Sequence, residues 1–270
     1  MRSPRVIAHR GSSFAVAEHT LAAYEQAVAE GADGLECDVR LTSDGHLVCV
    51  HDRTLSRTSD VRGRVSENTL ADLAEADFGG WAGDLPATAD ELVGEDRYDA
   101  FDREPVPVLA LVDLLGLVAD CDRPIELLVE TKHPTRYGGL VEQRLVETLD
   151  RFGLAGGPEP RASVLSFATS ALRRVRALAP DLPTVQLFGR VPLLYRDGSL
   201  PVGADVSGPG IQVLRAHPRY VQRVHALGHP VYVWTVDALA DIDLVLSLGV
   251  DAVITNRPTE VLDRVRRRPG

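Results

Sequence analysis

The chain has 270 residues, 44% of them apolar and 25% charged, which is enough to bury one large core or two small ones. A disordered tail and a peptide-sized scaffold are excluded. Its 39 acidic and 29 basic groups leave a formal charge of -10, which repels a polyphosphate backbone, so no nucleic-acid partner is expected.

Apolar residues fall in short runs, none near the roughly 20 residues that a bilayer span needs, so no integral membrane association is expected. The first strand-like run, Arg5-Val6-Ile7-Ala8, begins almost at the initiator and leaves no room for a basic, apolar and cleavable leader. A cytoplasmic location is the expectation. Cys37, Cys49 and Cys121 are an odd number at no metal-ligand spacing and read as reduced core residues. Of the 29 basic residues 28 are arginine, and Lys132 is the single lysine. A position that stayed lysine in such a background points to a need for a compact ammonium.

In chain order, strands are expected at 5–9, 34–39, 46–51, 125–131, 162–167, 184–187, 203–206, 231–236 and 251–254. Helical spacing of apolar residues marks 18–30, 140–152, 169–178, 218–227, 239–248 and 259–267. Gly31, Gly153, Gly228 and Gly249 stand just past four of those helices, where a left-handed cap favours glycine. The closing Arg264, Arg266, Arg267 and Arg268 read as a solvated helix end.

Strand and helix thus alternate about eight times, which predicts an α/β fold, a (β/α)8 TIM barrel. An open doubly wound sheet would want a glycine-rich turn after the first strand, and His9-Arg10-Gly11-Ser12-Ser13 follows instead. The rhythm fails once, over about 52–107, where glycines, a helix signal at 66–76 and an acidic stretch form an excursion from the second strand and its hairpin partner. Trp81, Tyr98 and Phe101 could line such a wall. The whole chain, 1–270, reads as a single distorted barrel domain carrying that insertion.

The unusual polar residues fall at C-terminal strand ends, the face where a barrel keeps its chemistry. Glu36 and Asp38 are two apart in a strand and project to one side, while Leu35, Cys37 and Val39 turn towards the helices. With Glu130 from a neighbouring strand they offer three hard oxygen donors, which suits Mg²⁺ or Ca²⁺; pairing with Arg10 or Arg40 is the plainer alternative. His9 and His51 end two strands beside that cluster and can act as general acid and base. Lys132 shares the parity of Glu130, and with Arg10 it would neutralise a phosphodiester.

These residues resemble a known family. His9-Arg10-Gly11, Glu18-His19-Thr20, Gly34-Leu35-Glu36-Cys37-Asp38-Val39, Thr42-x-Asp44-Gly45, His51-Asp52 and Val129-Glu130-Thr131-Lys132 resemble the glycerophosphodiester phosphodiesterases. So do the later Val233-Trp234-Thr235-Val236 and the stretch from Gly249 to Thr255. The resemblance covers nearly the whole chain. It implies a distorted barrel with an insertion that hydrolyses glycerophosphocholine, glycerophosphoethanolamine and similar small molecules to sn-glycerol 3-phosphate and an alcohol. It further implies His9 and His51 as the catalytic pair and Glu36, Asp38 and Glu130 as ligands of the divalent cation. Arg10 and Lys132 would hold the phosphate, and Trp234 would wall the glycerol or alcohol part.

The chain departs from the family pattern at His19, where asparagine is usual, at Thr131, where an aliphatic residue is common, and at Asn256, where aspartate is often seen. Gln186 is a further candidate for the site. Three other readings compete. A phospholipase D-like enzyme acting on lysolipids or sphingomyelin would want a membrane-binding stretch. A non-catalytic glycerophosphodiester-binding barrel would not need both histidines, and an amidohydrolase would want histidine-rich metal ligands. Head group, choice of cation, the division of roles between the histidines, the attacking oxygen (water or the glycerol 2-hydroxyl) and oligomeric state are left open by the sequence.

Overall fold

The computed structural model describes residues 3–80, 104–156 and 160–267. Among them nine strands form one sheet: β1 (Arg5–His9), β2 (Gly34–Leu41), β3 (Leu47–Cys49), β4 (Glu126–Thr131), β5 (Ala162–Ser166), β6 (Thr184–Phe188), β7 (Val206–Pro209), β8 (Tyr232–Val233) and β9 (Ala252–Thr255). Eight run parallel in the order β7-β6-β5-β4-β2-β1-β9-β8, and β3 hangs antiparallel on β2. Parallel bridges from Ser207 to Val231 and from Gly210 to Trp234 close β7 onto β8. The result is a (β/α)8 barrel.

Helices α1 (Leu21–Glu30), α2 (Leu70–Ala74), α3 (Leu111–Asp120), α4 (Leu140–Arg151), α5 (Thr169–Leu178), α6 (Ile211–Ala216), α7 (Tyr220–Ala226), α8 (Leu239–Leu248) and α9 (Pro258–Arg266) complete the elements. Among the described residues, no helix is long and apolar enough to cross a membrane.

Alternation along the strands divides the core. Ile7, Leu128, Leu165, Val185, Leu187, Val206 and Ile254 fill the barrel, while Leu35, Cys37, Val39, Leu127 and Val129 turn outward against α1, α3 and α4. Val6, Val233 and Val253 pack similarly against α6 to α9. Each strand therefore buries both faces, as parallel barrel strands must. At the N-terminal end of the barrel Arg5 pairs with Glu126 and hydrogen-bonds the Tyr232 hydroxyl.

Several expected boundaries are corrected. The seventh strand is 206–209, not 203–206. α1 starts at Leu21 because Thr20 caps it, its hydroxyl accepting from the Ala23 amide at 3.2 Å. The helix expected over 66–76 is a short 3-10 turn, Val65–Glu67, followed by α2 with a Thr69/Asp72 capping box. α3 and α6 were not anticipated. The cysteines are free, Cys37 and Cys49 buried and Cys121 half-buried. The described part of the excursion packs Leu55, Val65, Leu73 and Phe78 on Val48 and Val50. The lining expected of Trp81, Tyr98 and Phe101 lies outside the described residues.

Candidate active site

The C-terminal strand ends surround a cavity of about 340 Å³ lined by His9, Arg10, Glu36, His51, Glu130, Lys132, Phe167 and Trp234, with Leu165, Leu187 and Ile254 beneath. Barrel register makes this assembly. In the ladders His9 sits beside Glu36 and Asp38 beside Glu130, so residues distant in sequence become lateral neighbours.

The three carboxylates offer oxygens within 4.8 Å of one another, all buried. Lys132 Nζ lies 2.8 Å from Asp38 Oδ1 and 2.8 Å from Glu130 Oε2. Arg10 Nε lies 3.0 Å from Asp38 Oδ2, and Arg10 Nη1 donates to Glu18 Oε1 at 3.0 Å. Asp38, though burial opposes its charge, is held well below the usual carboxylate range by Lys132 and Arg10. Burial and the neighbouring Asp38 push Glu36 well up, and burial raises Glu130 to about 7. Two cations thus face three buried carboxylates. Glu36 Oε2 lies 3.9 Å from the His9 ring nitrogen and 3.3 Å from the Arg10 amide, and among the described residues Glu36 pairs with no Lys or Arg side chain. An all-oxygen donor set short of one positive charge suits a hard divalent cation. Arg10 therefore pairs with Asp38, whereas the Arg40 Nε donates to the His51 carbonyl at 2.9 Å.

Both histidines are oriented through Nδ1. His9 Nδ1 is 2.7 Å from Asn256 Oδ1. The Asn256 amide nitrogen donates to Asp237 Oδ2 at 2.7 Å, which fixes its oxygen towards His9 and makes His9 Nδ1 the protonated nitrogen. His51 Nδ1 lies 2.9 Å from Asp52 Oδ1. Asp52 is in turn paired with Arg57, which also grips Glu18 through Nη1 at 2.8 Å and Nη2 at 2.6 Å. In both rings Nε2 is left for the cavity. Burial and the adjacent Arg10 lower His9 to about 3 and His51 to about 4, so both are neutral near pH 7.

His19 is buried, its Nε2 3.0 Å from Asp38 Oδ2 and its Nδ1 2.8 Å from the Tyr24 hydroxyl. Burial keeps it neutral. The Tyr24 hydroxyl sits between His19 Nδ1 and the Glu36 carbonyl, 3.2 Å away, and His19 Nε2 faces the carboxylate, so the residue replacing the family's usual asparagine braces Asp38. Arg10 and His19 are the non-glycine residues with left-handed backbone among those described, φ 59° and 60°. They are tied together by the His19 amide donating to the Arg10 carbonyl at 3.1 Å. Strain of that kind, about 1–3 kcal/mol each, persists where surrounding bonds over-determine it.

Trp234, directly after β8, donates its indole N–H to the Gly208 carbonyl at 2.7 Å and packs nearly perpendicular to the Phe167 ring at a centroid distance of 5.3 Å. Thr131 is buried with opposite parity and stays out of the cavity. Gln186 does not line it; its amide nitrogen donates to the Ser166, Phe167 and Leu187 carbonyls and its oxygen accepts from Thr169. Sequence reasoning missed Arg57, Asp237 and Tyr24 and gave Asn256 no role in the site.

Carboxylates, cations and two imidazoles on the catalytic face of a (β/α)8 barrel define a hydrolase of phosphate esters. The model of the glycerophosphoryl diester phosphodiesterase family matches residues 9–260. The chain is 47% identical over 259 residues to the Mycobacterium tuberculosis protein named "Probable glycerophosphodiester phosphodiesterase 1", covering 94% of this chain and 90% of that one. It is 31% identical over 274 residues to the glycerophosphodiester phosphodiesterase of Caldanaerobacter subterraneus subsp. tengcongensis, covering 97% and 98%. A phosphodiesterase of Oleispira antarctica, solved with its product sn-glycerol-3-phosphate, superposes with a TM-score of 0.79 at 25% identity, covering 97% of each chain. The chain belongs to the glycerophosphoryl diester phosphodiesterase family and is an enzyme of that activity.

Proposed function

We propose that this chain hydrolyses small glycerophosphodiesters, glycerophosphocholine and glycerophosphoethanolamine among them, to sn-glycerol 3-phosphate and the free alcohol, with His9 and His51 as the proton-transfer pair. The reading is carried by one observation above all: both imidazoles are tied at Nδ1 and turn Nε2 to the cavity that Arg10 and Lys132 line. The family membership and the product bound by the Oleispira relative support it.

Arg10 and Lys132 hold the phosphate, their charges set against its equatorial oxygens. Glu36, Asp38 and Glu130 would hold Mg²⁺ or Ca²⁺, which supplies Lewis-acid polarisation of a phosphoryl oxygen when bound. His9, whose Nδ1 faces a neutral amide, takes the proton of the attacking oxygen on Nε2 as its new bond to phosphorus forms. His51, neutral in the free protein, takes up a proton on Nε2 as the anionic diester binds, the Asp52 carboxylate stabilising its charged form, and delivers that proton to the departing alcohol as the old bond breaks. Trp234 and Phe167 wall one arm of the diester. The chain acts as a single barrel domain in this reading.

His9→Ala and His51→Ala should each lower kcat by about 10²–10⁴-fold with the fold intact by circular dichroism. A well-folded variant with near-normal turnover would remove that histidine from the mechanism.

A further inference from the structure

Beside the catalytic cavity, and sharing Lys132 with it, lies a second cleft at the barrel mouth. Arg40, Arg53 and Arg136 line it together with the hydroxyl residues Ser66 and Thr135, and no carboxylate does. Arg40 follows Asp38 by two positions in β2 and so faces the barrel mouth. Its Nε is used by the His51 carbonyl, which places the guanidinium against the strand end that carries that histidine.

Among the described residues, none of the three arginines forms an ion pair, in a molecule whose net charge is -10 and whose surface arginines elsewhere repeatedly do: Arg64 with Glu67, Arg144 with Glu147, Arg264 with Asp243. A planar fork is the group that recognises carboxylate or phosphate by paired hydrogen bonds, and among the described residues the three forks here are free of direct ion pairs.

A phosphodiester has two arms. One side of the catalytic cavity is apolar, with Phe167 and Trp234, and the arginine cleft opens from the side where Lys132 stands. Resting on the phosphodiesterase reading above, we propose that the Arg40–Arg53–Arg136 cleft is a subsite for an anionic substituent on the alcohol arm, so that diesters whose alcohol carries a carboxylate or a further phosphate are the favoured substrate class.

A matched pair of substrates tests this, because glycerophosphoserine and glycerophosphoethanolamine differ by one carboxylate. Wild-type kcat/KM should favour glycerophosphoserine by about tenfold, and the Arg53→Ala/Arg136→Ala double variant, altered at two exposed positions, should bring the ratio to about one. A wild-type ratio at or below one, or a ratio that the double variant leaves unmoved, overturns the subsite. If the ratio is unmoved but the variant weakens inhibition by inorganic phosphate, the cleft holds a free anion and the assignment to the substrate arm falls. Turnover of neither diester would instead sink the phosphodiesterase reading itself, so the two failures are told apart.

Discussion

Arg57 is 1% exposed and sits between two carboxylates, one of which, Asp52, orients His51, while the other, Glu18, also takes Arg10. One buried guanidinium thereby couples the arginine proposed to bind phosphate to a proposed catalytic imidazole. Removing one partner of a buried ionic network leaves uncompensated charge, so Arg57→Ala should cost about 3–5 kcal/mol of stability, read from the urea midpoint at constant slope. A loss under about 1 kcal/mol would show that solvent or a neighbour takes over the role. The sequence made part of this site legible and hid the rest for a physical reason. His9, Glu36, Asp38, His51, Glu130 and Lys132 announce themselves because strand period 2 and position at a strand end suffice to place them on one face. Arg57 and Asn256 carry no such mark, since Arg57 meets Glu18 39 positions away and Asn256 meets His9 247 positions away. Only the closed barrel makes them neighbours.

The turn from β1 into α1 does more than connect two elements. It carries Arg10 and His19 in left-handed backbone, and Gly11 between them, at φ +86°, passes so close to α1 that an added Cβ would lie 2.6 Å from the Ala23 carbonyl carbon. Gly11→Ala should therefore destabilise the protein by about 2 kcal/mol or more and lower activity together, because relief of the clash displaces Arg10. Unchanged melting and turnover would mean that the turn has slack which this packing denies. Element boundaries were readable where local pattern and tertiary role agree: β1, α4, α5 and α8 fall within a residue of expectation. α3 was hidden because Val112, exposed, and Leu117, half-buried against the core, widen the helical stripe of Leu111, Leu114, Leu115 and Val118 into an almost continuous apolar run. α6 is only six residues long, and β7 ends in Gly208 and Pro209, residues that strand propensity disfavours and the closing seam accepts. α1 lost its expected first residues to the site, where Glu18 and His19 serve Arg10, Arg57 and Asp38.

For the whole molecule, the carboxylate cluster proposed to hold the cation would link stability to cation binding. Glu130, raised to about 7, and Glu36, raised well above its ordinary value, retain protons in the folded chain that the unfolded chain has lost above about pH 4.5. Their stabilising contribution is complete below that pH and disappears as pH rises through the folded values. His9 and His51, lowered to about 3 and about 4, act with the opposite sign, but only below about pH 6.5, where the unfolded imidazoles charge. Between about pH 6.5 and 8 the carboxylates are left to dominate. Chelated protein should lose melting temperature over that window, and the shift produced by saturating Mg²⁺ or Ca²⁺ should grow across it, since binding needs the carboxylates ionised. Equal shifts at pH 6 and pH 8 would detach the cation from this cluster. The measurement that bears most directly on the account is release of sn-glycerol 3-phosphate from glycerophosphocholine and glycerophosphoethanolamine by the purified protein, read through a coupled dehydrogenase, before and after chelation. The account predicts turnover that chelation abolishes and one added divalent cation restores. Undiminished turnover in excess chelator, or none from either diester by folded, cation-replete protein, would contradict it.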